Sequence, residues 1–487
     1  MIEVFWELIS TPTYLGVLMG ASLLGMILGA IPGLGGVVGL TIILPFLYHL
    51  DVKISLILII GMIASVTTGD TITCVLWGVP GSAGSQATVL DGYPLAKKGE
   101  AARALNTAYL CSMIGGIIGA ICLLSVLPIA KILMLWIGSP ELLMLSLLGL
   151  SMISALGGKS LLAGIALGFL GVAISMIGLD PQTGVSRWIY GQSYLLEGVN
   201  IVPVALGLFA IPEMADLFSK GVYLHGDTKL KRGIAVLKES VKDLLDNWFL
   251  ILRCSLLGTF IGLIPAMGGA VANWVAYGHT VQVSKNKENF GKGDIRGVIG
   301  VESANNAVVG GALIPTILFG VPGSLTMVFI LAAFTIHGII PGPNLIIEMP
   351  NIFYIVIFSL ALSNIFACLV GIVFLNQAVK VCLVPAHFLV PIISSAIIFA
   401  SLQASSHMGD LYVLMIFGVI GWFLKKAGWA RPALMLGIIL GPILRQRFHI
   451  STMIYGLSWL TRPGVLIIGL LIAVGIYYAA RSSKDSK

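Results

Sequence analysis

Long stretches of this chain carry no Asp, Glu, Lys or Arg. The two longest, Leu8–Leu50 and Ser303–Ile347, run for 43 and 45 residues. Ala104–Ala130, Ser160–Leu179, Cys254–Ser284, Met349–Val379, Val381–Gly409 and Pro463–Ala480 are also uncharged. A helix crosses ~30 Å of hydrocarbon in about 20 residues. Each of the two longest runs therefore holds two crossings, or one crossing plus a re-entrant hairpin. Transmembrane β-strands would alternate over about ten residues instead. Composition agrees: 57% of residues are hydrophobic and only 10% charged, with mean hydropathy +1.01. That is too little charge for soluble domains, or for a disordered, collagenous or nucleic-acid-binding chain. The pattern predicts an all-α polytopic membrane protein with about 10 to 14 membrane segments.

The net charge is +7. The basic residues sit in short loops between spans, where they orient a membrane protein and need no nucleic acid to explain them. The six cysteines (Cys74, Cys111, Cys122, Cys254, Cys368, Cys382) are scattered without a CxxC pair, which supports neither a disulfide framework nor a zinc site. Glu3 and Glu7, with no Lys or Arg before the first apolar run, do not make the basic start of a cleaved signal, so Met1–Ala30 is expected to be a retained span. Lys131 and Lys159 flank uncharged runs and are expected to snorkel to the interface.

Inside the apolar runs lie two interruptions, Ile31-Pro32-Gly33-Leu34-Gly35-Gly36 and Ile264-Pro265-Ala266-Met267-Gly268-Gly269. Proline removes a helix donor and paired glycines weaken a helix further. The two align: Gly25, Gly29, Ile31, Pro32, Gly35, Gly36 and Val38 match Gly258, Gly262, Ile264, Pro265, Gly268, Gly269 and Val271 at one spacing. A second pair follows in the same order. Leu76-Trp77-Gly78-Val79-Pro80-Gly81-Ser82 matches Leu318-Phe319-Gly320-Val321-Pro322-Gly323-Ser324 at six of seven positions. Two ordered motifs at nearly equal separation indicate an internal duplication, with helix breaks at Pro32, Pro80, Pro265 and Pro322 and hairpin tips at the two GVPGS sequences. A short inter-helix turn is the other reading of those tips.

Equivalent loops of the two halves carry opposite charge. Asp91–Arg103 holds Lys97, Lys98 and Arg103, while its counterpart His337–Asn351 holds only Glu348. Between the motifs the bias reverses, with Lys53 alone in the first half against Lys285, Lys287, Lys292 and Arg296 in the second. If basic loops are cytoplasmic, the halves are inverted with respect to each other. The expected organisation is a first repeat over 1–218, a basic cytoplasmic linker over 219–247 with an amphipathic stretch near Ile234–Leu245, and a second repeat over 248–487 ending in a span and a short basic cytoplasmic tail.

Interrupted helices place chemistry inside a bilayer. Helix N-termini offer N–H groups that suit an anion, unwound carbonyls suit Na⁺, and glycine lets a ligand approach the main chain. The candidate substrate contacts are Gly35, Gly36, Gly81, Ser82, Gly268, Gly269, Asn273, Asn305, Asn306, Gly323 and Ser324. The candidate coupling-ion contacts are Thr67, Thr68, Asp70 and Thr71, because Asp70 is the only acid between Asp51 and Asp91 and an ionisable group at membrane depth is costly. A helix N-terminus facing water is the alternative place for Asp70. Glu302 stands near the basic loop and is expected at the interface. Enzyme signatures are missing: there is no HExxH, Ser82 is not in a GxSxG elbow, and only the Gly69-Asp70 and Gly409-Asp410 pairs offer a carboxylate dyad.

Several blocks resemble the large membrane subunit of tripartite tricarboxylate transporters, the TctA-type permeases. They are GAIPGLGGVVGLTIILPF (Gly29–Phe46), TGDTITCVLWGVPGSAGSQATVLDGYPLAKKGEAARAL (Thr68–Leu105), IGLDPQTGVSRW (Ile177–Trp188), VALGLFAIPEM (Val204–Met214), GLIPAMGG (Gly262–Gly269) and ESANNAVVGGALIPTILFGVPGS (Glu302–Ser324). One departure is Ile443-Leu444-Arg445-Gln446-Arg447 after Gly441-Pro442, where the family often has an acidic residue. The resemblance implies a multi-pass permease of the bacterial inner membrane working with a small four-helix membrane subunit and a periplasmic solute-binding protein. It implies uptake of a di- or tricarboxylate driven by Na⁺ or H⁺, with no other cofactor and no enzymatic activity. A channel or exporter with the same broken helices is the alternative, and an intramembrane hydrolase a more distant one.

Overall fold

The structure is a computed structural model that describes residues 1–31, 35–82, 84–128, 138–156, 160–180, 183–220, 233–265, 267–382 and 386–485. Pro32, Lys131, Lys159 and the linker residues 221–232 lie outside them. Among the described residues eight helices are long and apolar enough to cross a membrane, or nine if the pair Ile234–Asp246 and Trp248–Gly262, bent by 72°, is one span. Shorter apolar helices stand between them. The one strand pairing among the described residues is a two-residue antiparallel ladder, Gly178–Leu179 with Ser186–Arg187. This is an all-α polytopic membrane protein.

Glycine decides how the first helices meet. After the short α1 (Ile2–Ser10), α2 (Pro12–Ala30) starts on a proline, which fits a first turn because its missing N–H has no partner there anyway. Gly25 meets Met62 and Ser65 of α4 (Val52–Trp77), and Gly29 meets Val66, Gly69 and Asp70. Helices α2 and α4 thus run side by side in one direction, with small residues letting the backbones touch. The intervening α3 (Gly35–Ile43) and its 3₁₀ continuation Leu44–His49 must bring the chain back, so α2 and α3 form a hairpin that enters and leaves by the same side. The second half repeats this. Gly258 and Gly262 of α11 (Trp248–Gly262) meet Ala304, Val308, Gly311 and Ala312 of α13 (Ile295–Phe319), and α12 (Gly268–Val283) returns. The receiving residues occupy matching positions of α4 and α13, counted from the two GVPGS motifs.

Between these second-half helices and the first hairpin come α5 (Gln86–Lys97), α6 (Ala101–Leu124), α7 (Ser139–Leu156), α8 (Leu161–Ile174), α9 (201–220) and α10 (Ile234–Asp246). The two halves interlock. Gly115 and Gly119 of α6 lie on Ser303, Ala307 and Gly310 of α13. In return α16 (Pro350–Val373), which follows α14 (Met327–Ile336) and α15 (Pro343–Glu348), packs on α4, where Gly61 meets Ser363. Thr71 reaches Glu302 and Thr68 reaches Asn306, so residue numbers rise along α4 as they fall along α13.

After α17 (Leu375–Cys382), α18 (Ala386–Ser405), α19 (Gly409–Ala427), α20 (Arg431–Tyr455) and α21 (Pro463–Asp485) pair with α7, α8 and α9. A π-helical turn, Leu206–Ala210, runs through α9. Gly207 in that turn meets Leu414, Phe417 and Gly418 of α19, and Gly437 of α20 meets Gly168, Gly171 and Val172 of α8. Leu206, Gly207 and Pro212 match Leu436, Gly437 and Pro442 at one spacing.

Charges gather at the two ends of the helices. Asp91 accepts from the backbone N–H groups of Gly293 and Asp294, both at 2.9 Å, and Arg103 pairs with Asp243 of α10 at 2.7 Å. The segments 91–103 and 285–296 therefore lie at the same end, as the charge pattern required. Asp294 caps the start of α13 there. Its carboxyl is held below the ordinary aspartate range. Burial works to raise it, and hydrogen bonds from the Arg296 guanidinium and backbone outweigh burial. Lys53–Glu7, Arg462–Glu141 and Arg187–Asp180 pair elsewhere.

Candidate functional site

Asp70 lies inside α4 and is 1% exposed. It is not at a helix start facing water, and nothing in α4 breaks at Thr67–Thr73. Instead the loop after α4 comes back to meet it. Gly78 takes a left-handed conformation (φ 67°), which glycine permits at no steric cost. A methyl on Gly81 would then lie 2.5 Å from Asp70 Oδ1 and 3.1 Å from the Gly29 carbonyl. Asp70 is seven residues before the end of α4, so the loop has dipped back about 10 Å along the helix. Ser82 and Ser85 stand beside the carboxyl, and the Gly29 carbonyl belongs to the unsatisfied C-terminal turn of α2. Carboxylate, carbonyl and hydroxyl oxygens converge there. In the second half the matching position is Ala312, and a methyl on Gly323 would lie 2.5 Å from its α-carbon. The duplicated geometry is kept and the acid is not.

The second cluster joins the halves. Asn273 of α12 donates through Nδ2 to Asn305 Oδ1 at 2.8 Å and to the Gly84 carbonyl. A methyl on Gly269 would stand 3.5 Å from Asn305 Oδ1 and 3.9 Å from the Gly84 α-carbon, and one on Gly268 3.6 Å from the Ser324 β-carbon. Helix α12 starts at Gly268 without a side-chain cap, so its first N–H groups open on this cluster. Asn306 donates to Thr68 Oγ1 at 3.0 Å, Ala64 O at 3.2 Å and Asn364 Oδ1 at 2.6 Å. It sits near the centre of α13, and Thr68 lies in the middle part of α4, so both are far from the ends of their helices.

Among the described residues, several buried polar atoms here lack a hydrogen bond of ordinary geometry: Asp70 Oδ1, Asn273 Oδ1, Asn305 Nδ2 and Asn306 Oδ1. Such orphans are uncommon and each needs an explanation, a missing ion or ligand among them.

Of the residues singled out from sequence, Asn273, Asn305, Gly268, Gly269 and Ser324 come together. Gly81 and Ser82 go to Asp70, and Thr68 goes to Asn306. A methyl on Gly35 would stand 4.0 Å from the Gly81 carbonyl oxygen, Gly36 packs on Val66, and Gly323 packs on α13. Thr67 donates its hydroxyl back to the Ala64 carbonyl of its own helix. Pro80, Pro265 and Pro322 all fall outside helices.

Glu302 corrects an expectation. It is fully buried, eight residues beyond the Asp294 cap and so about 12 Å along α13 from it. It is not interfacial. Thr71 of α4 (3.1 Å), Thr88 of α5 (2.5 Å) and Ser112 of α6 (3.0 Å) all donate to its carboxyl. Thr88 and Ser112 gave no signal in the sequence, because hydroxyls on apolar helices are commonplace. The carboxylate pair Asp70 and Asp410 does not form a site. Asp410 accepts from Tyr194 at 2.7 Å and from Ser405, and these bonds close the turn between α18 and α19.

Long apolar helices that pack on one another through glycine, around buried polar clusters that hold Asp70, Glu302 and three asparagines, describe a membrane transport protein. The comparisons place it further. The model of the tripartite tricarboxylate transporter TctA family matches residues 15–436, and the chain belongs to that family. It is 30% identical over 473 residues to an uncharacterised 52.8 kDa protein of the TAR-I ttuC' 3' region of Agrobacterium vitis, covering 95% of this chain and 93% of the relative. A second Agrobacterium vitis protein, uncharacterised and from the TAR-II ttuC' 3' region, is 31% identical over 238 residues, 47% of this chain and 97% of the relative. No solved structure matches. The family is one of transporter permeases within a tripartite system, not of enzymes.

Proposed function

We propose that this chain is the large permease subunit that carries an organic di- or tricarboxylate inward across a bacterial inner membrane, driven by a Na⁺ or H⁺ gradient. A small four-helix membrane subunit and a periplasmic solute-binding protein complete the system. The observation that carries the reading is the set of buried orphaned atoms, drawn from both halves: three acceptors (Asp70 Oδ1, Asn273 Oδ1, Asn306 Oδ1) and one donor (Asn305 Nδ2). Acceptors call for a cation and donors for an anion. Asp70, the Gly29 carbonyl and Ser82 take the coupling ion. Asn305 Nδ2, oriented by the bond from Asn273 to Asn305 Oδ1, and the free N–H groups of α12 take the carboxylate.

No lysine or arginine bonds to either cluster among the described residues, and a site held by neutral donors releases its load readily. The opposed running of α4 and α13, with matching glycine contacts in each half, favours inverted repeats. The basic segments 91–103 and 285–296 then face the cytoplasm with the linker and the tail.

The test is uptake of radiolabelled citrate, succinate and malate into vesicles carrying the permease with its partner subunits. We expect accumulation above the outside concentration under an imposed Na⁺ or H⁺ gradient, and Asp70→Asn to abolish accumulation at normal protein level. Equilibration without accumulation would mean a channel. Equal loss of uptake and of protein would give Asp70 a structural role.

A further inference from the structure

Two arginines of α20 are left out of the reading above. Arg445 lies 14 residues past the start of the helix at Arg431, about 21 Å along it. Cations at such depth are costly and face the protein interior or a wet cavity. Arg445 offers five N–H donors. Its Nη2 donates to the Ser175 carbonyl at 2.9 Å, while its Nε is buried without a partner. The nearby acid, Asp180, is already engaged by Arg187 at 2.5 Å and by Thr183 at 2.8 Å. Arg447 reaches Ser139 Oγ only at 3.5 Å. Among the described residues neither arginine has a carboxylate within ion-pair distance.

Both arginines line hollows. One, of ≈ 410 Å³, is bounded by Arg445, Gln446, Asp180 and Thr335. The next, of ≈ 530 Å³, is bounded by Arg447, Ser139, Asn344 and, at an exposed rim, Glu348. They share the wall Gly338–Ile340, so together they make one cleft between α20 and the loop after α14. Helix α9 runs from residue 201 to the basic linker, and Gly178, two residues from Asp180, meets Leu196 and Gly198 next to the start of α9, so the cleft sits at that end of α9. It therefore opens on the side of the membrane remote from the linker.

We infer that this cleft is a second, shallow anion site, in which Arg445 and Arg447 hold a small di- or tricarboxylate before it passes to the asparagine cluster. The ligand class rests on the transport reading above; the place and the charge do not. Guanidinium groups are planar forks that match carboxylates in two-point contact, and two of them facing adjoining hollows suit an anion with more than one carboxylate. A station on the outer side with fixed positive charge would raise the local concentration of anionic substrate.

The experiment is calorimetric titration of the purified chain in phosphatidylcholine nanodiscs with citrate, tricarballylate, succinate and malate. Arg445→Gln and Arg447→Gln are compared with Asn305→Ala, and Arg445→Lys controls for packing. We expect a carboxylate from this panel to fill two sites. One should weaken tenfold or more in each Gln variant and persist in Asn305→Ala, and the other should behave the opposite way. Unchanged binding in both Gln variants would overturn the inference and leave the transport reading standing, as would co-purified phosphatidylglycerol lost only from those variants, which would mark a lipid headgroup seat. Failure of the wild type to bind or take up any of the four would overturn both.

Discussion

Replacing Gly262 by alanine tests how the second hairpin is seated. A methyl there would lie 2.5 Å from the Val308 carbonyl oxygen, 2.9 Å from the Ala312 nitrogen and 3.1 Å from the Gly311 carbonyl carbon. All three are backbone atoms of α13, so no rotamer change relieves the overlap. Relief needs α11 and α13 to part by several tenths of an ångström along a close-packed seam. Overpacking of that kind costs about 1–3 kcal/mol, against which alanine recovers up to ~1 kcal/mol of helix propensity. The net expectation is a loss of about 1–2 kcal/mol. Gly16 and Gly20 of α2 have nothing within 4 Å, so alanine there should be neutral or stabilising by up to ~1 kcal/mol. Equilibrium unfolding in dodecylmaltoside–SDS micelles reads both. The shift of α11 also displaces Gly268 and Gly269 from Asn305, so Gly262→Ala should lower uptake at full expression. If Gly262→Ala and Gly20→Ala were equally stable, the close seam between α11 and α13 would be refuted, and with it the register of the hairpin.

Glu302→Ala strands the Thr88 and Ser112 hydroxyls without their acceptor, while Thr71 keeps a weak 3.5 Å contact to Thr67 O. At about 1–3 kcal/mol per buried orphan, the same unfolding assay should show a loss of about 2–5 kcal/mol, and a change under 1 kcal/mol would mean the hydroxyl cage is not formed. The Asp294 carboxyl is more acidic when folded than unfolded, so its contribution is present above the ordinary aspartate pKa and disappears as pH falls through the lower folded value. Asp294→Asn should therefore lower the melting temperature at pH 7, and the gap to wild type should close only in acid, as pH falls below the ordinary aspartate range and through the lower folded value; a gap independent of pH would show that charge is not what the cap contributes.

Where local chemistry decided structure, the sequence was readable. Pro265, Pro80 and Pro322 remove donors that no neighbouring residue replaces, and the structure leaves all three outside helices. Gly25, Gly29, Gly258 and Gly262 stood out because their spacing recurred, and each proved to be a backbone contact. What failed was depth. Glu302 was placed at the interface by its distance from Arg296 in sequence, yet six helical residues carry a side chain about 9 Å, enough to reach the polar centre. The match between α9 and α20 rests on Leu206, Gly207 and Pro212 against Leu436, Gly437 and Pro442, too sparse to notice until Gly207 and Gly437 were seen filling equivalent seams. Division of labour within the site was also hidden. Asp70 has Ala312 as its counterpart, and only the loop that folds back to Asp70 shows that the two halves hold different chemistry on one scaffold.

The exchange of α6 and α16 between halves has a consequence for how the chain is made. When the first half has left the ribosome, α4 still lacks the helix that covers Gly61, and α6 lacks the one that receives Gly115 and Gly119. Thr68 and Thr71 then wait against lipid or the insertion machinery until α13 brings Asn306 and Glu302. Neither half can mature first, and a break in the linker would be tolerated only if both pieces were produced together in the same membrane.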